Sequence, residues 1–169
     1  VATAISPYFS EEQQVRINFE NHLKKIIAEY DAKLICFHKT IFSKEDSVEA
    51  EKFFKNKIDF LILQTSSCSS GEQLYPLCNI TNKMGLWAVP DLENEGDVKL
   101  HSLVSVSHYL GIIKKILHEK KIKTKWFYNY GDTDEFKNKF LITLRSLVAD
   151  KKIKQSKIGL VGGISPGFD

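Results

Sequence analysis

Short apolar runs alternate with helical hydrophobic patterns along the whole chain. Each run has the length of a buried strand, and in the stretch after it apolar residues recur every three or four positions. Strands that alternate with helices are typical of βαβ units, in which the strands pair in parallel. The pattern therefore predicts an α/β protein with largely parallel sheets. The predicted strands are 1–5, 34–37, 58–63, 86–89, 125–128 and 157–161, and the predicted helices are about 11–30, 46–56, 69–82, 100–118 and 132–147.

A polar, glycine-containing stretch at 91–99 divides this pattern into two parts. Polar stretches of this kind commonly link folded units. We therefore predict two sequential doubly wound subdomains, Rossmann-like or flavodoxin-like, over residues 1–92 and 93–169. The last predicted strand is followed only by a turn-rich segment, with no element to cover it. The second subdomain is thus expected to be truncated, with further chain beyond residue 169.

Four of the predicted helix starts carry a capping pair, in which a side chain at the start is followed three residues later by a glutamine or glutamate. These pairs are Ser10–Gln13, Asp46–Glu49, Ser69–Glu72 and Asp132–Glu135. The helix over 100–118 is predicted from its apolar face instead. That face contains Leu103, Val104, Val106, Leu110, Ile112, Ile113, Ile116 and Leu117. So broad a face predicts a deeply buried helix.

The composition is that of an ordinary globular protein, with 43% hydrophobic and 27% charged residues. Apolar runs such as 60–63 are far shorter than the roughly 20 residues of a membrane helix, so no membrane contact is expected. Cys36, Cys68 and Cys78 follow neither a disulfide spacing nor a metal-binding spacing, which indicates reduced thiols. Because the chain also begins without an export signal, we predict a cytoplasmic location.

The net charge of +3 comes from the second half of the chain, where lysines at 114–125 precede aromatic residues at 126–130. Basic residues beside aromatic ones are found on nucleic-acid-binding surfaces. However, only Arg16 and Arg145 could make bidentate phosphate contacts, and lysines at helix ends commonly keep a surface soluble. The aromatic residues are better explained by a buried strand, so no nucleic-acid partner is expected.

Polar residues follow two of the predicted strands and mark a candidate site. Ser67, Cys68 and Ser69 follow the strand at 58–63, and Asp91 follows the strand at 86–89. Carboxyl ends of parallel strands share one edge, where ligands of α/β proteins bind. Hydroxyl and N–H groups ahead of a helix favour phosphate or polyhydroxyl ligands. These four residues are the predicted substrate-binding residues, although serines in such a loop commonly only cap the helix and solvate the turn.

Other candidate chemistry is weaker. Cys68 and His38 would both project from this edge, so a thiol–imidazole pair for nucleophilic chemistry is a further hypothesis. His101 and His108 lie seven residues apart without a third ligand at metal-site spacing, so no metal site is predicted within the chain. The glycines at 162–167 do not fit the G-x-G-x-x-G pattern, which argues against a dinucleotide cofactor, and a flavin mononucleotide loop would follow the first strand.

Four stretches, taken in order, resemble the N-terminal half of the L-fucose/L-arabinose isomerase family, especially its shorter fucose-isomerase-like members. They are TSSCSSGE at 65–72, GLWAVPD at 85–91, LHSLVSVSHYLG at 100–111 and GLVGGISPGFD at 159–169. The resemblance implies interconversion of aldoses and ketoses. In that chemistry a divalent metal, typically manganese, holds adjacent sugar oxygens while acidic residues move a proton through an enediol.

The resemblance also implies what this chain contributes. The family's metal ligands and catalytic residues fall beyond residue 169, so none is assigned here, and this fragment alone is expected to be inactive. In the family's homo-oligomers the first domain helps to close a neighbour's active site. Ser67, Cys68, Ser69 and Asp91 would then contact a monosaccharide in trans.

The resemblance does not identify the sugar. Cys68 stands where longer fucose isomerases have a tryptophan, and their arginine after the first strand has no match at 6–9. Two alternatives therefore stay open. The chain could be a noncatalytic sugar-binding or effector-binding α/β module, or an enzyme that depends on Cys68.

Overall fold

The computed structural model describes residues 1–4, 13–90, 101–157, 159 and 162–163. In this part of the chain four strands form one all-parallel sheet in the order β1-β2-β3-β4, so the predicted α/β class is confirmed. The strands are β1 (Ala2–Ala4), β2 (Leu61–Thr65), β3 (Lys83–Ala88) and β4 (Lys123–Tyr128). The helices are α1 (Gln13–Ile27), α2 (Lys44–Phe54), α3 (Leu74–Leu77), α4 (Ser102–Lys115) and α5 (Asp134–Gln155), with 3₁₀ turns at Gly71–Gln73 and His118–Lys120.

Helices cover both faces of the sheet, and successive strand residues point to opposite faces. The first core lies between the sheet and α2, α3 and α4. It includes Ala4, Phe54, Leu61, Leu63, Leu74, Leu86, Tyr109 and Ile113. The second core lies between the sheet and the pair α1 and α5. It includes Phe19, Leu23, Ile62, Trp87, Phe127, Phe136 and Phe140. The Trp87 ring stacks on Phe136 with centroids 4.3 Å apart, which ties α5 to the centre of the sheet.

The prediction of a strand at 34–37 is wrong, but the segment around it does run beside β1. The N–H of Phe37 donates to Val1 O at 2.9 Å, and the N–H of Ile41 donates to Thr3 O at 2.8 Å. The chain therefore advances four residues from Phe37 to Ile41 while the neighbouring strand advances only two, from Val1 to Thr3. The surplus bulges out at 38–40, so a regular parallel ladder cannot form. The segment 35–41 is an irregular edge to the sheet.

The described residues on both sides of the predicted boundary share the sheet. β4 pairs with β3 in parallel along its whole length, from Lys83 with Lys123 to Ala88 with Tyr128. The predicted pair of doubly wound subdomains is therefore not confirmed, and the division into 1–92 and 93–169 stays a prediction. The linking stretch lies outside the described residues, as do most of the predicted strand at 157–161 and the Ser10 end of the first capping pair.

Three predicted helix starts are misplaced by one to three residues. Ser43 caps α2: its extended backbone lets its Oγ accept from the N–H of Asp46, while the Asp46 carboxylate accepts from the N–H of Ser43. Ser70 and not Ser69 caps the 3₁₀ turn before α3, and Thr133 and not Asp132 caps α5. In each case several polar residues compete, and the one with extended backbone geometry makes the cap.

The buried face of α4 differs from the predicted apolar face. Leu103 and Val104 are 44% and 51% exposed, whereas Ser102 and Ser105 are buried beside Tyr109. The predicted deep burial is therefore wrong for these two aliphatic residues and for Ile116, which is 60% exposed. Likewise Trp126, predicted to belong to a buried strand, is 48% exposed, because β4 is the last strand of the described sheet.

No helix among the described residues combines the length and the apolar character needed to cross a bilayer. α5 is long enough but carries charged residues along its length, including Lys139, Arg145 and Asp150. The compartment stays a prediction.

Gly85 tests how tightly the sheet packs. A Cβ on Gly85 would lie 2.7 Å from Phe60 Cζ and 2.9 Å from Phe127 Cε2, so Gly85→Ala requires two aromatic rings to move. We expect a loss of about 1–3 kcal/mol in the free energy of unfolding, measured by urea denaturation. The control is Gly111→Ala in α4, where a Cβ meets nothing within 4 Å. Alanine favours a helix over glycine, so Gly111→Ala should stabilise by roughly 0.5–1 kcal/mol. Equal stability of the two variants would contradict this packing.

Candidate functional site

The carboxyl ends of β1 and β2 form the point where the chain departs in opposite directions. From β1 it passes through α1 to the edge segment 35–41, and from β2 it passes through α3 to β3 on the other side. Such a switch point is where ligands bind in open α/β sheets. Residues 65–70, which we call the serine loop, begin at the last residue of β2 and leave the sheet here. The N–H of Ser66 donates to Ala4 O at 3.1 Å.

One hydroxyl group of α4 holds the middle of the serine loop. Ser105 Oγ donates to Ser67 O at 2.8 Å and accepts from the N–H of Ser69 at 2.6 Å. The hydroxyl of Ser69 also donates to Ser67 O, at 3.1 Å. All three residues are buried. Because buried backbone groups need hydrogen-bond partners, the Ser105 hydroxyl stabilises the loop, which a leucine side chain at that position could not do.

A second hydroxyl of α4 joins the ends of β2 and β3. Ser102 Oγ donates to Thr65 O and accepts from the N–H of Val89 at 3.0 Å. Thr65 Oγ1 donates in turn towards Trp87 O and Ser102 O, at 3.3 and 3.2 Å. These bonds explain why small polar residues, rather than the predicted apolar ones, form the buried start of α4.

Tyr109 holds the end of the serine loop. Its hydroxyl group donates to Ser70 O at 3.1 Å, with Gln73 Oε1 at 3.3 Å. Burial raises the pKa of Tyr109, so the phenol stays neutral and keeps the proton that it donates. α4 therefore holds the loop at three points, through Ser102, Ser105 and Tyr109.

The predicted site residues have different environments. Ser67 and Ser69 are buried, and the bonds described above fix their backbone within the loop. Cys68 lies between them with an exposed, free thiol. Asp91 lies outside the described residues. The alternative role of the serines is thus visible for Ser70, which caps the 3₁₀ turn, while a ligand contact at Ser67, Cys68, Ser69 or Asp91 stays a prediction.

The imidazole predicted to pair with Cys68 has other contacts. His38 Nε2 lies 3.2 Å from Glu49 Oε1 and its ring packs against Phe53, so its described contacts include α2. A different imidazole, that of His108, borders the serine loop: its Cε1 lies 3.3 Å from the position of a Cβ on Gly71.

Two polar side chains missed by the sequence analysis lie at the same edge. Thr3 and Gln64 are register partners on β1 and β2, and both are almost fully buried. Gln64 Oε1 accepts from Ser66 Oγ at 2.9 Å, which places the carboxamide next to the serine loop. Gln64 Nε2 and Thr3 Oγ1 have no hydrogen-bond partner among the described residues. The available signal was a glutamine directly after an apolar run, but the predicted strand ended at residue 63.

Helix α1 brings further polar atoms to the same face of the sheet. Arg16 Nη1 donates to Glu20 Oε1 at 2.6 Å, while Arg16 Nε and His22 Nδ1 are buried and without a hydrogen-bond partner in the described part of the chain. His22 lies close to Gly131, which follows β4 along the chain. Donor groups that can bind a polar ligand are therefore not limited to the serine loop.

The described residues offer no set of metal ligands. Within 1–4, 13–90 and 101–157, no three His, Cys, Asp or Glu side chains are grouped to hold an ion. Several carboxylates are instead paired with lysines, as in the contacts of Asp46 and Glu49 with Lys39 at 2.8 and 2.7 Å. The manganese implied by the resemblance does not fit any described group, and we assign no residue to it.

Comparison with known proteins adds no family. No family model matches the chain, and a search of curated proteins finds no match. The assignment of function therefore depends on the residues themselves and on the sequence resemblance given above.

Ser105 is the residue whose loss should most disturb the serine loop. Ser105→Ala leaves Ser67 O and the N–H of Ser69 without this partner in a buried setting, so we expect a loss of about 1–3 kcal/mol in unfolding free energy. Ser107→Ala is the matched control on the same helix, because Ser107 is exposed; its effect should stay within about 0.5 kcal/mol. Urea denaturation measures the unfolding free energy of both variants. Equal values would contradict the conclusion that Ser105 stabilises the serine loop.

The three thiols should differ in reactivity. Cys68 is exposed, whereas burial raises the pKa of Cys36 and raises the pKa of Cys78 to about 11. At pH 8 roughly one Cys78 side chain in a thousand is then a thiolate. We expect iodoacetamide to modify Cys68 first, as followed by peptide mass spectrometry. A Cys68 rate like that of a free peptide thiol would remove the hypothesis of a Cys68-dependent enzyme.

Proposed function

We propose that this chain is the N-terminal portion of a metal-dependent aldose–ketose sugar isomerase-like enzyme, and that the edge bearing the serine loop contacts the sugar. The resemblance over 65–72, 85–91, 100–111 and 159–169 supports the reaction class. The observation that carries the sugar contact is the pair of buried polar groups, Gln64 Nε2 and Thr3 Oγ1, without described partners at the switch point.

The chemistry of these two groups fits a polyhydroxyl ligand. A carboxamide N–H donates only, while a threonine hydroxyl can donate or accept. A monosaccharide hydroxyl, which can donate and accept at once, can satisfy both. Leaving such groups buried and unpaired costs about 1–3 kcal/mol each, and a ligand that satisfies them recovers this energy. The neutral character of both groups favours an uncharged sugar over a phosphate.

The fixed serine loop suits substrate positioning. Three residues of α4 hold its backbone, so a ligand that contacts Ser67, Cys68 or Ser69 need not order the loop when it binds. In this proposal the chain supplies scaffold, oligomer interface and sugar contacts in trans within a cytoplasmic homo-oligomer of two-subdomain subunits. Residues beyond this chain supply manganese binding and the acid–base groups.

A noncatalytic sugar-binding or effector-binding module is the second candidate. It is favoured by the partners of the serine loop, which in the bonds described above are backbone groups, hydroxyl groups and an amide. Such groups bind a sugar but do not move a proton at carbon, for which carboxylate or imidazole bases are needed. Both candidates use the same edge, so only turnover separates them.

The test follows ketose formation from L-fucose, L-arabinose and other aldoses by the full polypeptide that carries this chain, with Mn²⁺ added. We expect turnover, and we expect Gln64→Leu to lower kcat/KM about tenfold because one hydrogen bond to the sugar is lost. Gln155→Leu, the same substitution on the exposed end of α5, should leave kcat/KM unchanged. Leucine removes a buried donor that has no described partner, but it also removes the acceptor of Ser66 Oγ, so the unfolding free energy of Gln64→Leu is measured beside its kinetics.

A second pair of variants does not depend on a buried position. Cys68→Trp adds bulk at the exposed tip of the serine loop, while Ile116→Trp adds it at an exposed position after α4. Only Cys68→Trp should change the sugar KM. Saturable binding without turnover would replace the isomerase with the binding module, and kinetics unaffected by both site variants would overturn the sugar contact.

A further inference from the structure

A cavity lies at the opposite edge of the sheet from the serine loop. Its volume is about 580 Å³, and it is open to solvent on one side. The end of α1, the segments 31–35 and 57–60, and the last turns of α5 surround it. Cavities of this volume hold small organic ligands in many proteins. Neither the sequence resemblance nor the sugar proposal uses this edge.

The floor of the cavity is apolar. Ile27, Ile62, Phe140 and Leu144 belong to the second core, and their side chains form the inner wall. Leu147 and Val148 extend this wall along α5 towards the opening. An apolar wall that reaches solvent gains free energy when hydrocarbon covers it, at roughly 25 cal/mol per Å². A ligand for this cavity therefore needs an extended apolar part.

The rim of the cavity is cationic. Its charged residues are Lys33, Lys57, Lys83, Lys151 and Lys154, with Asp31, Asp59 and Asp150. Lys83 and Lys154 share one carboxylate, that of Asp150, at 2.6 and 2.9 Å, so the ammonium groups there exceed the carboxylates. Lys83 and Lys154 lower the pKa of Asp150 to about 2, which keeps this arrangement charged at neutral pH. The surplus of positive charge stands directly over the apolar floor.

We propose that this cavity binds an amphipathic carboxylate, a ligand with a single anionic head and an aliphatic tail. The head lies at the lysine-rich rim beside Lys83 and Lys154, whose two ammonium groups share the single carboxylate of Asp150, and the tail follows Leu144, Phe140 and Ile62 into the core. The surplus lysines supply the charge complementarity, and the apolar floor excludes highly polar anions such as sugar phosphates. A positively charged amphiphile would meet lysines at the rim and bind poorly.

Dodecanoate, used below its critical micelle concentration, is the probe, and isothermal titration calorimetry is the measurement. We expect saturable binding of one dodecanoate per chain. Dodecyltrimethylammonium has the same tail with the opposite charge and should bind at least about tenfold more weakly. Lys154→Glu should weaken dodecanoate binding about fivefold or more. Lys152→Glu, on the same turn of α5 but outside the cavity, should change it less than about twofold.

Variants of the apolar wall complete the test. Leu147→Trp fills the cavity mouth and should abolish binding, whereas Ile142→Trp, exposed on the same helix, should leave it intact. Equal affinity for both headgroups, unchanged binding in Leu147→Trp, or no saturable binding would overturn the proposal. So would self-association through this face that dodecanoate does not reverse, because a second copy would then be the occupant. Sugar kinetics measured in the same variants report on the other edge and separate this result from the proposed function.

Discussion

The buried backbone groups at the ends of the parallel strands need hydrogen-bond partners, and much of the structure depends on how this requirement is met. Where β2 and β3 end, their last backbone groups lose ladder partners while still buried, and an unpaired buried group is costly. The Ser102 hydroxyl of α4 satisfies Thr65 O and the N–H of Val89 at these strand ends. The Ser105 hydroxyl satisfies two buried backbone groups of the serine loop that follows β2. Hydroxyls can do this because one oxygen donates and accepts at once. The position of α4 and the course of the serine loop both follow from these bonds.

The same requirement makes the two edges of the sheet chemically different. At the carboxyl edge, loops leave the sheet, and hydroxyl, amide and imidazole groups collect around Thr3, Gln64 and His22. At the amino edge, α1 and α5 do not fully cover the second core, and apolar side chains reach solvent beneath lysines. A polar ligand fits the first edge and an amphipathic one the second. One parallel sheet thus carries two candidate sites of opposite character.

The fold class was predictable because the hydrophobic pattern that indicates it is local in sequence. Errors arose where contacts with residues distant in sequence determine the local structure or burial. The apolar runs that became β2 and β3 are buried by any arrangement of a parallel sheet, so the predicted strands overlap the observed ones. The run at 34–37 looks the same in sequence, but its bulge beside β1 depends on where Phe37 and Ile41 find acceptors. Leu103 and Val104 fit an apolar stripe, yet Ser102 and Ser105 are the residues that the sheet ends need. The predicted helix caps were misplaced for a similar reason, because several neighbouring polar residues compete for the capping position.

The candidate site was predictable in place but not in composition. Strand order puts any loop after β2 near the edge where ligands bind, so Ser67, Cys68 and Ser69 were identified from position alone. Their hydrogen bonds were not predictable, because Ser105 and Tyr109 lie more than thirty residues away in sequence. Gln64 was missed because it belongs to the strand rather than to the loop. A polar residue inside a buried strand has few local reasons to be there. Its donor, which has no partner among the described residues, is therefore better evidence of a ligand than the serines of the loop.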